Sequence, residues 1–352
     1  MSFSESLDIC GRRVGHDEPP YIVAELSANH GGDLDRAKRI VRMAAELGAD
    51  AIKFQAYHAG NMTLDCDLPG FTVEADNPWK GRRLFELYQS AATPYEWFAD
   101  LFDEARTAGI VPFATPFGLD AVEMLEALDA PAYKIASFEA VDLELIGACG
   151  RTGKPLIIST GLCSQEEIGE ALEAALTAGA KEVAILKCSS AYPAKLEDAN
   201  LLAIPRMREV FGVPVGYSDH TMGTTAAISA VALGACIVEK HVIDAREPPT
   251  ADSDFSALPD ELEELIGACR DANNIRGNGL LRRTKREEQS LVFRRSLYAS
   301  ADIAEGQLLD RSNVRSVRPG FGLAPKYLED IIGRRAVRAI KTGEPLNWEL
   351  LK

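Results

Sequence analysis

YIVAELSANHGGDLDRAKRIVRMAAELGADAIKFQ, residues 21–55, decides the fold. It opens on an apolar run that stops at Glu25 and closes on a second run that stops at Lys53 and Gln55. Between them Ala37, Ile40, Val41, Ala44 and Ala45 recur at helical spacing, and Gly48 ends the pattern. This is strand, helix, strand, the unit from which parallel sheets are built.

The same rhythm continues along the chain. IVPFAT stops at Thr115, PAYKIAS at Lys134 and Ser137, and PLIIST at Ser159. EVAILKCSS stops at Ser189 and Ser190, VPVGYSDH at Ser218 and His220, and CIVEKH at Glu239 and His241. A helical pattern follows each run, as in EALEAALTAG, which ends at Gly179. Eight such units predict an α/β fold, a (β/α)8 TIM barrel over residues 1–275. Residues 1–19 are expected to form a hairpin under its floor. Barrel enzymes place their chemistry at the C-terminal ends of the strands. Stability asks for no polar group there, so a polar stop on every strand points to an enzyme.

The bulk properties narrow the function. The chain has 352 residues and a net charge of -15, which argues against a nucleic-acid partner. A local cluster of Lys and Arg can still hold a small anion. No apolar run reaches the ~20 residues that span a bilayer, so no membrane partner is expected. The first twenty residues lack the apolar core of a signal peptide, and a cytoplasmic location is expected. The seven cysteines are scattered without a CxxC and read as reduced thiols, with Cys188 and Cys236 buried in strands.

One interval is out of proportion. After Gln55 the next helical pattern, TPYEWFADLFDEARTAG, begins only near Thr93. A loop of that length is either a functional lid or a packing insertion. A second change comes near residue 276. Residues 276–293 are basic and read as a linker. Residues 294–352, with short β runs, glycine turns and a helix near PKYLEDII, read as a small second domain. At that size it needs a surface to dock on, its own barrel's or a partner's.

Three groups carry chemistry. His220 and His241 end neighbouring strands and lie within reach of one divalent metal, or serve as hydrogen-bonding barrel residues. Lys53, Thr115, Lys134, Ser137, Ser159, Ser189, Ser190 and Ser218 face one mouth and suit a phosphate or carboxylate. Glu25, Glu139 and Asp252 supply carboxylates for sugar hydroxyls or for acid–base work. A salt bridge between Glu25 and Lys53 is an equally available role. Lys53 and Lys134 also leave a Schiff-base aldolase open. His16 and His58 read as surface residues, and His30 either lines the mouth or caps a helix.

The motifs AELSANHGG, DAIKFQ, FATPF, PAYKIASFE, IISTG, YSDHT and EKH appear in this order, followed by VRSVRPGFGLAPKYL and GEPLNW. Together they make the chain similar to the sialic acid (nonulosonic acid) synthases, which condense phosphoenolpyruvate with an N-acyl amino sugar. AELSANH, LFELYQSAATPYEWFADLF and KIASFEAVDLELI are most similar to the pseudaminic acid branch. The resemblance implies 2,4-diacetamido-2,4,6-trideoxy-L-altrose as acceptor. It makes the C-terminal segment an antifreeze-protein-like (SAF, β-clip) domain, exchanged in a domain-swapped homodimer. It puts a divalent metal (Mn2+, or Mg2+ or Co2+) on His220 and His241, with these and Glu25 catalytic. It gives phosphoenolpyruvate to Lys53, Thr115, Ser137, Ser159, Ser190 and Ser218. It gives the sugar to Gln55, Lys134, Glu139, Tyr192 and Asp252, and to Arg318 from the partner. Two departures stand out. Ser190 replaces a frequent asparagine, and Pro248-Pro249 replaces a glycine-containing turn before Asp252. A non-catalytic sugar-binding protein is the alternative from another class.

Overall fold

The structure, a computed structural model, describes residues 3–74 and 79–352. The chain divides into two compact units, residues 1–277 and 278–352. In the first, a hairpin of β1 (Ser6–Ile9) and β2 (Arg12–Gly15) precedes eight parallel strands. These are β3 (Tyr21–Glu25), β4 (Ala51–Ala56), β5 (Val111–Pro116), β6 (Tyr133–Ile135), β7 (Leu156–Ser159), β8 (Val183–Cys188), β9 (Val215–Asp219) and β10 (Ile237–His241). Each pairs with the next and β10 closes onto β3, so the eight runs read from the sequence are the eight staves of a closed barrel.

The period of two along each strand sorts side chains between two cores. Ile22, Ala24, Ile52, Phe54, Tyr133, Ile135, Ile158, Ile185, Tyr217 and Val238 face the helices. Tyr21, Val23, Ala51, Phe113, Ala132, Ile157, Ala184, Leu186 and Ile237 fill the barrel interior. Leu7, Ile9 and Val14 of the hairpin join that interior core, so the lead-in plugs the floor. At Gly216 of β9 a Cβ would lie 2.5 Å from Leu186 and 2.6 Å from the Ile237 carbonyl, and only glycine fits.

One inward step further along, the apolar layers end. Glu25, Lys53, Thr115, Lys134, Ser159, Cys188, Ser218 and Glu239 continue the inward-facing rows as a polar layer, each of them buried. The barrel therefore changes from core to site within a single residue pair on every strand.

The interval after β4 holds a short helix, Ala59–Met62, and a second one, Leu84–Ala91, that the sequence reading leaves in the loop. Residues 75–78 of this interval lie outside the described residues. The next barrel helix, Phe98–Ala108, follows a 3-10 turn at Tyr95–Trp97.

The second unit pairs β11 (Ser296–Ala299) with β12 (Val314–Val317) antiparallel. Its core is built from Leu297, Ile303, Leu309, Ile331, Ile340 and Leu346. Residues Lys285–Gln289, within the stretch expected to be linker, form a helix whose start is capped reciprocally by Thr284 and Glu287. Among the described residues, no helix is long and apolar enough to cross a membrane.

Candidate active site

Charge at the mouth centres on two buried lysines and two buried glutamates. Lys53 Nζ is in ion-pair contact with Glu25, lies 3.8 Å from Glu239 Oε2, and donates to Thr115 Oγ1 at 3.1 Å. Lys134 Nζ lies 4.0 Å from Glu239 Oε1 and donates to Ser159 Oγ at 2.6 Å and to the Ile135 carbonyl at 2.9 Å. Ser218 Oγ donates to Glu239 Oε1 at 3.2 Å. Glu239 thus sits between both ammonium groups. Burial opposes its ionisation, but Lys134 and Lys53 outweigh that and hold its pKa low. Burial pushes the Glu25 carboxyl up to about 7 against the pull of Lys53. Lys53 stays protonated because Glu239 and Glu25 overcome its burial, whereas burial lowers the pKa of Lys134.

Beside this group lies a hydroxyl cradle. The Gly161 amide donates to Ser137 Oγ at 3.1 Å. A Cβ at Gly161 would come within 2.2 Å of Ser190 Oγ and 2.8 Å of Ser137 Oγ, so the glycine leaves the space these hydroxyls occupy. An oxyanion suits such a place, with hydroxyl and ammonium donors already fixed around it.

His220 and His241 come together with ring centroids 5.4 Å apart. Nδ1 of His220 is engaged by the Ser189 carbonyl at 3.0 Å and by Cys188 Sγ at 3.7 Å, which leaves Nε2 for a ligand. Nδ1 of His241 is buried with no hydrogen-bond partner. Burial and the nearby His220 push the His241 pKa well below its ordinary value, which favours the neutral imidazole, the form able to bind a metal ion. Among the described residues no cluster of three or more His, Cys, Asp or Glu is arranged around a common metal position. Two imidazoles with an orphaned nitrogen fit a divalent ion that fills its other positions with water and substrate oxygens.

Asp252 closes the next side. Its Oδ2 accepts from Ser27 Oγ at 2.5 Å and lies 3.9 Å from His241 Nδ1. The departure at Pro248-Pro249 is anchored by the motif after β3. Arg36 is buried and donates to Asp244 Oδ1 at 2.8 Å, to the Pro248 carbonyl at 3.1 Å and to the Ala245 carbonyl at 2.6 Å. Asn29 donates to the Val242 carbonyl and to Ser256 Oγ, and accepts from Thr250 Oγ1. His30 is buried, faces Thr93 Oγ1 at 3.2 Å and meets the edge of Trp97. It is a packing residue of this support. His58 is exposed, as expected, while His16 is half-buried at the barrel floor, with Nδ1 3.4 Å from the Gly234 carbonyl.

The other expected sugar residues are spread around the mouth. Gln55 lies two residues beyond Lys53 and pairs with Thr115 in the ladder. Glu139 is half-buried, has one oxygen with no partner, and burial raises its carboxyl to about 7. Tyr192 stacks at 4.4 Å on His220 and at 5.4 Å on Phe255. Arg318 is exposed in the second unit, on the loop after β12. The sequence reading marks Glu239 as a strand end and gives it no role. Its signal was the i, i+2 spacing to His241, which puts both on the inner face.

Residues 40–280 match the NeuB family and residues 294–352 match the SAF domain. The chain is 42% identical over 330 residues to a pseudaminic acid synthase of Campylobacter jejuni, covering 94% of this chain and 96% of that one. It is 41% identical over 331 residues to a pseudaminic acid synthase of Helicobacter pylori, covering 94% and 97%. Among solved structures, an N-acetylneuraminic acid (sialic acid) synthetase of Leptospira borgpetersenii, in complex with citrate, superposes with a TM-score of 0.73 at 32% identity, covering 82% of this chain and 96% of that one. Fold and site define a transferase-type barrel enzyme with a SAF domain. The chain belongs to the NeuB family and is a nonulosonic acid synthase of the phosphoenolpyruvate-condensing kind.

Proposed function

We propose that the barrel condenses phosphoenolpyruvate with 2,4-diacetamido-2,4,6-trideoxy-L-altrose, giving pseudaminic acid and phosphate by C–O cleavage. The observation that carries this reading is that one barrel mouth holds both two buried lysines and the hydroxyl cradle at Gly161. Lys53, Lys134, Ser137, Ser159, Ser190 and Ser218 offer donors to a phosphate and a carboxylate held side by side. The L-altro acceptor is supported by the identity to two pseudaminic acid synthases over nearly the whole chain.

In this reading His220 and His241 hold a divalent metal such as Mn2+. When bound, it supplies Lewis-acid polarisation of the sugar aldehyde oxygen. The residues do the rest. Lys53 and Thr115 fix the phosphoenolpyruvate so that its C3 faces the aldehyde carbon, which is a positioning effect. Glu239 favours the protonated form of both lysines and, with Glu25, holds Lys53 protonated against its burial. As C3 bonds to the aldehyde, positive charge develops at C2, and the carboxylates of Glu25 and Glu239 lie nearby to offset it. Water adds at C2, and Glu25 takes its proton, a task suited to a carboxyl near pH 7. The C2–O bond to phosphate then breaks as the added hydroxyl becomes the keto oxygen. Of the two water protons, one ends on the former aldehyde oxygen and the other leaves with the phosphate, which takes the bond's electrons into the cradle.

The same reading includes a homodimer with exchanged SAF domains. Large apolar side chains stand exposed on successive loops around the mouth: Leu119, Phe138, Val141, Leu162, Leu202 and Met222. Residues 294–352 carry eleven Lys and Arg against seven Asp and Glu, a net +4 within a chain of -15. Opposite charge on the two parts favours their docking between copies.

The test is the fate of the bridging oxygen. Phosphoenolpyruvate labelled with 18O between C2 and phosphorus should yield labelled inorganic phosphate. Label retained in the sugar acid would mean P–O cleavage and would end the proposed chemistry.

A further inference from the structure

Trp79 brings the long loop after β4 to the site. Trp79 Nε1 donates to the Ala251 carbonyl at 3.1 Å, the residue before Asp252. The Trp79 ring lies 5.9 Å from Tyr192, and Tyr192 lies 4.4 Å from His220. Phe255 packs on both Tyr192 and His241, at 5.4 and 5.2 Å. These rings form a wall that starts at the histidine pair and runs outward on the scale of an open six-carbon sugar. Apart from the Tyr192 hydroxyl and the histidine nitrogens, its hydrogen-bonding capacity is low. Phe255 has none, and the indole donor of Trp79 is directed to the protein backbone. Of the polar partners for the sugar, Glu139 belongs to another loop, and Asp252, on the loop of Phe255, is turned to Ser27 and the Ala28 amide.

We propose that Trp79 is a specificity-determining residue, whose ring receives the 6-deoxy methyl end of the acceptor and disfavours a 6-hydroxyl. The inference rests on the 6-deoxy acceptor proposed above. An acceptor with a hydroxymethyl group would bring its hydroxyl against the apolar face of the indole. An apolar surface rejects an added hydroxyl only by about 10- to 100-fold, which sets the size of the effect.

The experiment compares kcat/KM for 2,4-diacetamido-2,4,6-trideoxy-L-altrose and its 6-hydroxy counterpart. It uses the full-length protein, the wild type and two variants. Trp79→Phe keeps the apolar face and loses the bond to Ala251; Trp79→Gln keeps a donor and loses the face. The wild type and Trp79→Phe should favour the deoxy sugar by about 10-fold or more. In Trp79→Gln the ratio should fall to within about threefold of unity, with the KM for phosphoenolpyruvate unchanged. A ratio in Trp79→Gln equal to that of the wild type would overturn the role of Trp79 while leaving the acceptor reading intact. Turnover of neither L-altro sugar by the wild type would instead overturn the acceptor reading, and the inference with it.

Discussion

Glu25 and Lys53 face each other across β3 and β4 as direct partners in the strand ladder, and their side chains form a buried ion pair. The register of the barrel therefore fixes a carboxylate against an ammonium at the mouth. Glu239 approaches the same ammonium from β10, at 3.8 Å. One lysine is shared by two carboxylates, and only one of these has its pKa held low.

Replacing that lysine removes both a donor to substrate and the compensation for two buried carboxylates. Lys53→Met should lower kcat/KM by at least about 10²- to 10³-fold. Breaking a buried pair from one side also costs about 3–5 kcal/mol in other proteins, so the melting temperature should fall. Phosphate release and a thermal melt check both. Activity within tenfold of wild type would remove Lys53 from the anion site.

Gly161→Ala is the smallest test of the cradle. Its methyl would overlap Ser190 Oγ and Ser137 Oγ, and these hydroxyls would have to move. The KM for phosphoenolpyruvate should rise about tenfold, a binding loss of about 1.4 kcal/mol, with the KM for the sugar little changed. An unchanged KM for phosphoenolpyruvate would place the anion elsewhere.

The metal role has a readout apart from turnover. Calorimetric titration of Mn2+ into the metal-stripped protein should show binding that His241→Ala weakens at least about tenfold, within the range for altered metal sites. His220→Ala should abolish turnover and leave the circular dichroism spectrum unchanged. Equal Mn2+ affinity in wild type and His241→Ala would contradict the assignment.

Lys134 tests the imine alternative. Its lowered pKa makes it the better nucleophile of the two lysines, yet its ammonium is tied to Ser159 and the Ile135 carbonyl. Borohydride with pyruvate should leave the protein mass unchanged. A stable adduct mapped to Lys134 would favour Schiff-base chemistry.

His30 couples stability to acid. Burial lowers its pKa from 6.5 to about 4, so the folded state takes up this proton later than the unfolded chain does. The stability linked to His30 is therefore complete above pH 6.5 and is lost as the pH falls toward 4. The gap, at about 1.4 kcal/mol per pH unit, sets a ceiling of about 3 kcal/mol. Urea melts between pH 7 and 4 should show a smaller loss for His30→Gln than for wild type. An equal loss in both would assign the acid sensitivity to other groups.

The barrel and most of the mouth were legible because strand periodicity does two tasks at once. The inward rows that hold Val23, Phe113 and Ile157 are the same rows that end in Glu25, Thr115 and Ser159. A strand end read correctly therefore gives both fold and site. Contacts across the sequence left no such trace. Trp79 and Ala251 are 172 residues apart, and nothing local to either announces the bond between them. Arg36 carries no role in the sequence reading, yet it is buried and anchors the loop at Pro248. Glu239 stands in a run with Lys240 and His241, where a charged residue is as readily taken for an outward one. Lys240 does point outward, to Asp219 at 2.8 Å. Helix Leu84–Ala91 was obscured by the loop residues that precede it.

Phosphate release from phosphoenolpyruvate tests the central claim most directly, with 2,4-diacetamido-2,4,6-trideoxy-L-altrose and N-acetylmannosamine as alternative acceptors, in Mn2+ and in EDTA. The account predicts release with the L-altro sugar, abolished by EDTA. Release with N-acetylmannosamine alone, or release that persists in EDTA, would contradict it.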